Sequence, residues 1–314
     1  MTSAPTGQHQ TPVAHAILTS LQQQMPFLHK AALESDPHSF DERLAVLETT
    51  GRRLQFIFDD DRLWIDGVVK SYIHLSIEFL RLQQQLEKTG RYLLSSEHEA
   101  AEQVYHNEDV FGAYYLPGLL LTEALWPNHF KLNHAFKTAF LSQLPASPSV
   151  LEVGVGTGYH LSQLLTTHER VNYEGIDISQ FAIDFCKTFA APDLDARSSV
   201  DFQLASITGD YRPPAAKLDG IIMGEVLEHI ETPGQVLEDL RELADGQTKM
   251  FITTVVFAAN IDHIFMFEKV NDIRKLVMAS GWRIENDWPL PIYPTDTPDM
   301  VKRPMNYGAL LSKA

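Results

Sequence analysis

The segment LEVGVGTGYH (residues 151–160) sets three glycines, Gly154, Gly156 and Gly158, between an apolar β-branched run and the start of a helical periodicity. Glycines in that place let the backbone turn sharply and let a ligand approach with no β-carbon in the way. The next strand-like run ends at Asp177, where a carboxylate can accept both hydroxyls of a ribose. Spacing then separates two ligand classes. A dinucleotide loop reads G-x-G-x-x-G and aims a helix N-terminus at a pyrophosphate. Here the spacing is G-x-G-x-G, and Glu152 stands two residues before the first glycine, where it would repel a pyrophosphate. An acid there suits the ammonium end of an amino-acid-bearing nucleoside, reached directly or through water. A nicotinamide-dependent oxidoreductase is the alternative that this spacing disfavours.

Outward from the loop, short β-branched runs alternate with amphipathic helices, the pattern of βαβ units and a mostly parallel sheet. Strands are expected at 149–154, 172–177, 200–205, 219–224 and 249–256, and helices at 159–168, 179–190, 233–244 and 267–280. Two final strands, WRIENDWPL and MNYGALLSKA, are close enough to pair antiparallel at a sheet edge. Upstream, residues 13–147 carry helical periodicity, with Leu75, Phe79, Leu82 and Leu86 recurring at spacings of three and four. The expected organisation is a loose tail over 1–12, a helical cap or oligomerisation region over 13–147, and an α/β domain over 148–314, divided at the joint PASPS. The apolar stripe of the long helix at 64–93 is a candidate homodimer contact.

Composition narrows the partners. A formal charge of −16 and the absence of a basic run disfavour nucleic acid. No stretch reaches the roughly 18 apolar residues of a membrane span. Cys186 is the single cysteine, which fits a reducing compartment, and the expected location is the cytoplasm.

Residues 149–312 resemble a class I S-adenosylmethionine-dependent methyltransferase. LEVGVGTG is similar to the first motif of that family and YEGIDIS to its second; DFQLAS takes the third position and LDGIIMGEVLEHI the fourth. The resemblance implies a Rossmann-like seven-stranded sheet with helices on both faces and S-adenosylmethionine as cofactor. It places Glu152, Gly154, Gly156 and Gly158 at the methionine end, Asp177 at the ribose and Ile178 beside the adenine. Ser206 departs from the pattern, because many members carry an acid there. The methyl of a sulfonium is already activated, so catalysis is mainly in-line placement of an acceptor, with a base where the acceptor arrives protonated.

The stretch GEVLEHI (224–230) puts Glu225, Glu228 and His229 at the carboxyl edge where open α/β sheets hold ligands. If a helical turn begins at 225, the three side chains share a face. With His263 from the stretch after the fifth strand they resemble the E-x-x-E-H and D-H-x-F pattern of ubiquinone-pathway O-methyltransferases and of enzymes that methylate small-RNA ends. Carried over from the RNA branch, a divalent metal would sit on Glu225, Glu228, His229 and His263. The same cluster is also read as a metal-free site in which Glu228, His229 or His263 is the base, or as a polar helix start that shapes the pocket, with Glu225 edging the cofactor. Ahead of the α/β domain, Tyr114, Tyr115 and His129 are candidate substrate contacts. The expected function is methyl transfer to a hydroxyl, amine or carbon of a small molecule, in specialised metabolism. A catalytically silent methyl-donor-binding module is the remaining alternative.

Overall fold

The computed structural model describes residues 11–58, 64–213, 217–293 and 303–314. Strands β1 (Ser149–Val153), β2 (Asn172–Asp177), β3 (Ser199–Leu204), β4 (Gly220–Gly224), β5 (Lys249–Val256), β6 (Trp282–Pro291) and β7 (Met305–Lys313) form one sheet in the order β3-β2-β1-β4-β5-β7-β6. The first five pair in parallel, and β7 enters antiparallel between β5 and β6. Parallel central strands are covered on both faces and so read as continuous apolar runs. Ile221, Ile222 and Met223 in β4 and Phe251 and Ile252 in β5 are accordingly fully buried. The order reverses beside β1, so the crevice at the carboxyl ends of β1 and β4 lies at the topological switch point where ligands bind.

Helices α8 (Tyr159–Thr167), α9 (Gln180–Ala190), α10 (Pro233–Leu243) and α11 (Val270–Ala279) flank the sheet, each within three residues of its expected start. The two last strands pair as expected, although β7 is interior and β6 takes the edge. Of the tail expected over 1–12, residues 1–10 lie outside the described residues. Helix α1 (Pro12–Gln24) begins at Pro12, a residue pre-organised for a helix start.

The upstream half is helical: α1 is followed by α2 (Pro26–Glu34), α3 (Phe40–Ile57), α4 (Trp64–Thr89), α5 (Glu97–Ala100), α6 (Leu116–Leu125) and α7 (Pro127–Ala135). Wider π-helical turns interrupt it at Ala101–Tyr105, Glu108–Tyr115 and Phe136–Phe140. These helices share their cores with the sheet. Leu82 and Leu86 of α4 pack with Leu151, Val153 and Ile221 on one face, while Leu75, Leu116, Phe136 and Phe140 pack with Val150, Ile222 and Phe251 on the other. Much of the apolar stripe of α4, the candidate dimer contact, is therefore covered by its own chain.

Polar ties reinforce the union. The Arg53 guanidinium lies 2.5 Å from the Asp193 carboxylate, and the Asn128 amide donates to the carbonyls of Leu290 and Pro291 at 3.2 and 2.9 Å. No described helix is long and apolar enough to cross a membrane.

At the closest approach of α4 to α6, a β-carbon on Gly118 would stand 2.9 Å from the carbonyl oxygen of Ser71. Backbone cannot yield as a side-chain tip does. Gly118→Ala should destabilise the fold by about 1–3 kcal/mol, the usual range for overpacking, read as a lower urea midpoint at unchanged slope.

Candidate functional site

A cavity of about 280 Å³ opens at the switch point, bounded by the glycine loop, the carboxyl ends of β4 and β5, and the helices α6 and α7. Gly154, Gly156, Asp177, Ile178 and Ser206 line one end. Gly156 has a left-handed φ of 46° and open space where a β-carbon would project. Gly158 is not part of the lining: it starts α8 with φ 76° against the Cys186 backbone, so its task is packing.

Asp177 braces the loop. Its Oδ2 accepts the Gly156 N–H at 3.2 Å and its Oδ1 the Ser179 N–H at 2.8 Å. Burial pushes its carboxyl up to about 6, helped by the charge of Glu152 and opposed by these N–H bonds.

Glu152 is 1% exposed, and both of its oxygens have partners. Oε2 accepts the Tyr173 hydroxyl at 2.6 Å and Oε1 lies 2.9 Å from His160 Nδ1. Burial would lower the His160 imidazole, but the bond and charge of Glu152, with Glu123 and Glu225 behind, raise it overall. Glu152 thus acts on the cavity through His160, which also lines it.

The acid–histidine cluster departs from a helical turn. Glu225 has φ 51°, a left-handed conformation that costs a side-chain-bearing residue of order 1–3 kcal/mol, and its N–H is held by Thr253 O and Oγ1 at 2.9 and 3.0 Å. The helical turn expected from 225 is corrected to a short 3₁₀ turn, Leu227–His229. Two N–H groups of the loop after β5, those of Ile264 and Phe265, donate to the Glu228 carbonyl at 2.9 Å each. That clasp sets His263 beside Glu228.

Ligating atoms of Glu228, His229 and His263 lie within 4.8 Å of one another, and among the described residues Glu225 stands outside this group. Glu228 is fully buried; Oε2 accepts the Thr254 hydroxyl at 2.6 Å, while Oε1 has no hydrogen-bond partner. Burial, then the charge of Glu225, hold its carboxyl well above the ordinary value. His229 Nδ1 faces the Asp262 carbonyl at 2.9 Å and the Tyr105 hydroxyl at 3.0 Å, and its Nε2 lies 3.9 Å from Glu228 Oε1. His263 Nδ1 faces the Ala258 carbonyl at 2.9 Å. Burial, together with His229, drops the His263 imidazole to about 4, so it is neutral.

The helical half closes the cavity with Tyr115, a substrate candidate, and with Tyr105 and Glu97, which sequence reasoning did not assign. Tyr105 and Tyr115 donate to Asp262 Oδ2 at 3.3 and 2.8 Å, both kept un-ionised by burial and then by the Asp262 charge. Glu97 accepts the Thr208 hydroxyl at 3.1 Å and the Glu231 N–H at 2.9 Å, which ties the covering segment to the loops after β3 and β4.

Of the substrate candidates, Tyr115 and His129 line the cavity. Tyr114 does not: its hydroxyl donates to Glu78 at 3.0 Å and its ring stacks on His74 at 4.0 Å, so its contacts are with α4. Glu123 and Asn133 face each other there, the Asn133 amide donating to Glu123 Oε2. Burial raises the Glu123 carboxyl to about 7; the Asn133 bond and His160 oppose this, and Glu225 adds to it. Burial alone drops His129 to about 4.

Residues 151–247 match a family described as a methyltransferase domain. Over 128 residues the chain is 30% identical to the mitochondrial ubiquinone biosynthesis O-methyltransferase of Candida albicans, a match covering 40% of this chain and 38% of that protein. The chain thus spans about two fifths of the length of the curated relative it matches. Solved structures with a similar trace include the N-methyltransferase NodS of Bradyrhizobium japonicum bound to S-adenosyl-L-homocysteine, at 12% identity, TM-score 0.49 and coverage of 70% of this chain and 99% of that one. Another is the [4+2]-cyclase SpnF, at 12% identity, TM-score 0.47 and coverage of 79% and 94%. The family match lies on β1 to α10, where the strand order places the glycine loop and Asp177 at the switch point, so residues 151–247 form a methyltransferase domain.

Proposed function

We propose that the chain transfers the methyl group of S-adenosylmethionine to a hydroxyl, amine or carbon of a small molecule. The observation that carries this reading is the continuity of one cavity from Asp177, past the glycine loop, Glu225 and the histidines, to the apolar wall of α6 and α7. The bound donor would supply a methyl already activated by its sulfonium. The chain supplies placement and proton handling. Asp177 offers acceptors to the ribose, Ile178 and Ser206 edge the adenine end, and Glu152 acts through His160 at the methionine end. An enclosed, mostly apolar pocket suits a small acceptor, and the charge of −16 opposes a nucleic-acid one.

His263, neutral down to about 4, is a poor store for a proton at neutral pH. The base proposed is His229. Its Nδ1 is anchored by Asp262 and Tyr105, which leaves Nε2 turned toward Glu228 to take the acceptor's proton.

A second reading is favoured by the Glu228 oxygen that is buried without a hydrogen-bond partner. Both histidines engage Nδ1 with a backbone carbonyl and leave Nε2 free, the orientation that metal-ligating histidines take. The residues fit a divalent cation held by Glu228, His229 and His263 with Glu225 alongside, which would polarise an acceptor oxygen as a Lewis acid. Manganese binding followed by electron paramagnetic resonance should show one site that His263→Ala abolishes. A spectrum of free manganese alone retires this reading.

Calorimetry with S-adenosylhomocysteine should show binding where NAD shows none. The affinity depends on an ionised Asp177, whose folded-state carboxyl is raised from 3.8 to about 6. Affinity should therefore be full above that value and fall about tenfold per pH unit below it; Asp177→Asn should bind weakly with no such slope. Binding of NAD alone refutes the proposal.

Glu225→Asn replaces a strained, half-buried acid with a residue that tolerates the left-handed region. It should raise unfolding stability at pH 8 by about 1 kcal/mol while lowering S-adenosylhomocysteine affinity, both measurable on one preparation.

A further inference from the structure

The acids of the cavity are unevenly satisfied. Among the described residues six line it, Glu97, Glu123, Glu152, Asp177, Glu225 and Asp262, and no lysine or arginine does. Glu97 is bonded to Thr208 and Glu231, Glu152 to Tyr173 and His160, Asp177 to two backbone N–H groups, and Asp262 to two tyrosines. The Glu225 side chain is engaged by Thr253. Glu123 differs. Asn133 occupies its Oε2, and among the described residues nothing bonds its Oε1 or the Asn133 side-chain oxygen. Asn133 is 7% exposed and lines the cavity.

Around this pair the wall is aromatic and fixed. Phe79 and Trp126 pack with ring centroids 5.4 Å apart, the Trp126 indole N–H donates to the Tyr72 hydroxyl at 3.1 Å, and His129 meets the Trp126 ring edge-on at 5.0 Å. His129 is neutral and bonded to Thr122, so it does not neutralise Glu123. An enclosed acid with a spare oxygen, a neighbouring amide oxygen and aromatic faces is a receptor for an organic ammonium, which takes hydrogen bonds from N–H to oxygen and cation–π attraction from the rings.

We propose that Glu123 and Asn133 form an ammonium-binding subsite for the acceptor, selecting molecules with a protonated amine on an apolar or aromatic body and rejecting carboxylates and phosphates. This deepens the methyltransferase reading and rests on it for the word acceptor. The same ammonium chemistry is carried by the α-amino group of the methyl donor. The acceptor is favoured because Glu123 shares its wall with Trp126, Phe79 and His129 of the helical half.

The test uses the full chain and three isosteric probes, 3-phenylpropylamine, 3-phenylpropan-1-ol and 3-phenylpropionate, titrated calorimetrically with and without saturating S-adenosylhomocysteine. The amine should bind at least tenfold more tightly than the alcohol, and the carboxylate more weakly than both. Glu123→Gln should remove the preference for the amine and leave S-adenosylhomocysteine affinity within twofold. Equal binding of amine and alcohol, or no binding of any probe, overturns the proposal. So does a Glu123→Gln variant that loses S-adenosylhomocysteine by tenfold, which would give the subsite to the donor's own ammonium. Should Glu123→Gln not fold, the wild-type probe series still decides. Failure of S-adenosylhomocysteine to bind the wild type would sink the methyltransferase reading, while the amine preference in its absence would still judge the subsite.

Discussion

The carbonyl of Glu228 accepts two backbone N–H bonds, from Ile264 and Phe265, and the rest of the site depends on that clasp. It joins the loop after β4 to the loop after β5, whose strands are already in parallel register from Gly220↔Lys249 to Gly224↔Thr253. Because the clasp is backbone to backbone, Glu228, His229 and His263 are brought together before any side chain chooses a rotamer. Pre-positioning of this kind suits a reaction in which placement supplies most of the rate. Strain gathers at the same edge. Glu225 and Phe257, the two positive-φ non-glycine residues in the described chain, stand just past the ends of β4 and β5, and each is held by a backbone bond across to a neighbouring segment. Strained residues persist where surrounding structure over-determines them.

The helical half supplies part of the cavity wall. It reaches the cluster through Tyr105 and Tyr115, which converge on Asp262, and it brings Glu123, Asn133 and Trp126 to the far wall. Six acids stand in the mostly apolar lining of the cavity, in a chain of net charge −16, so its field favours cations. On the proposed reading a sulfonium enters and a neutral thioether leaves. The acids would then hold the donor more firmly than the spent product, which favours turnover.

Much of the sheet was legible because central parallel strands announce themselves as uninterrupted apolar runs: GIIMG and KMFITTVV lie where those runs fall. The glycine loop and Asp177 were legible for a related reason, since a sharp turn and a strand-end carboxylate are local features. What escaped was non-local. Nothing in GEVLEHI reveals that Glu225 turns left-handed, because the cause is its bond to Thr253 across the sheet. The wider turns at Ala101–Tyr105 and Glu108–Tyr115 break the helical period, so adjacent tyrosines part company, Tyr115 toward Asp262 and Tyr114 toward Glu78. Glu152 was read as facing the ligand, and its Tyr173 and His160 partners come from other elements. Glu123 sits in an ordinary leucine-rich helix, and only the fold shows that Asn133 is its hydrogen-bond partner and that it lines the cavity.

On the proposed reading one cavity holds the donor at the glycine loop and presents its reacting end to the acid–histidine cluster. A crystal structure with S-adenosylhomocysteine tests it most directly. The expected result is ribose hydroxyls on Asp177, adenine beside Ile178 and Ser206, and the sulfur opening toward His229 and His263. A ligand whose sulfur points away from that cluster, or one bound outside this cavity, would contradict it.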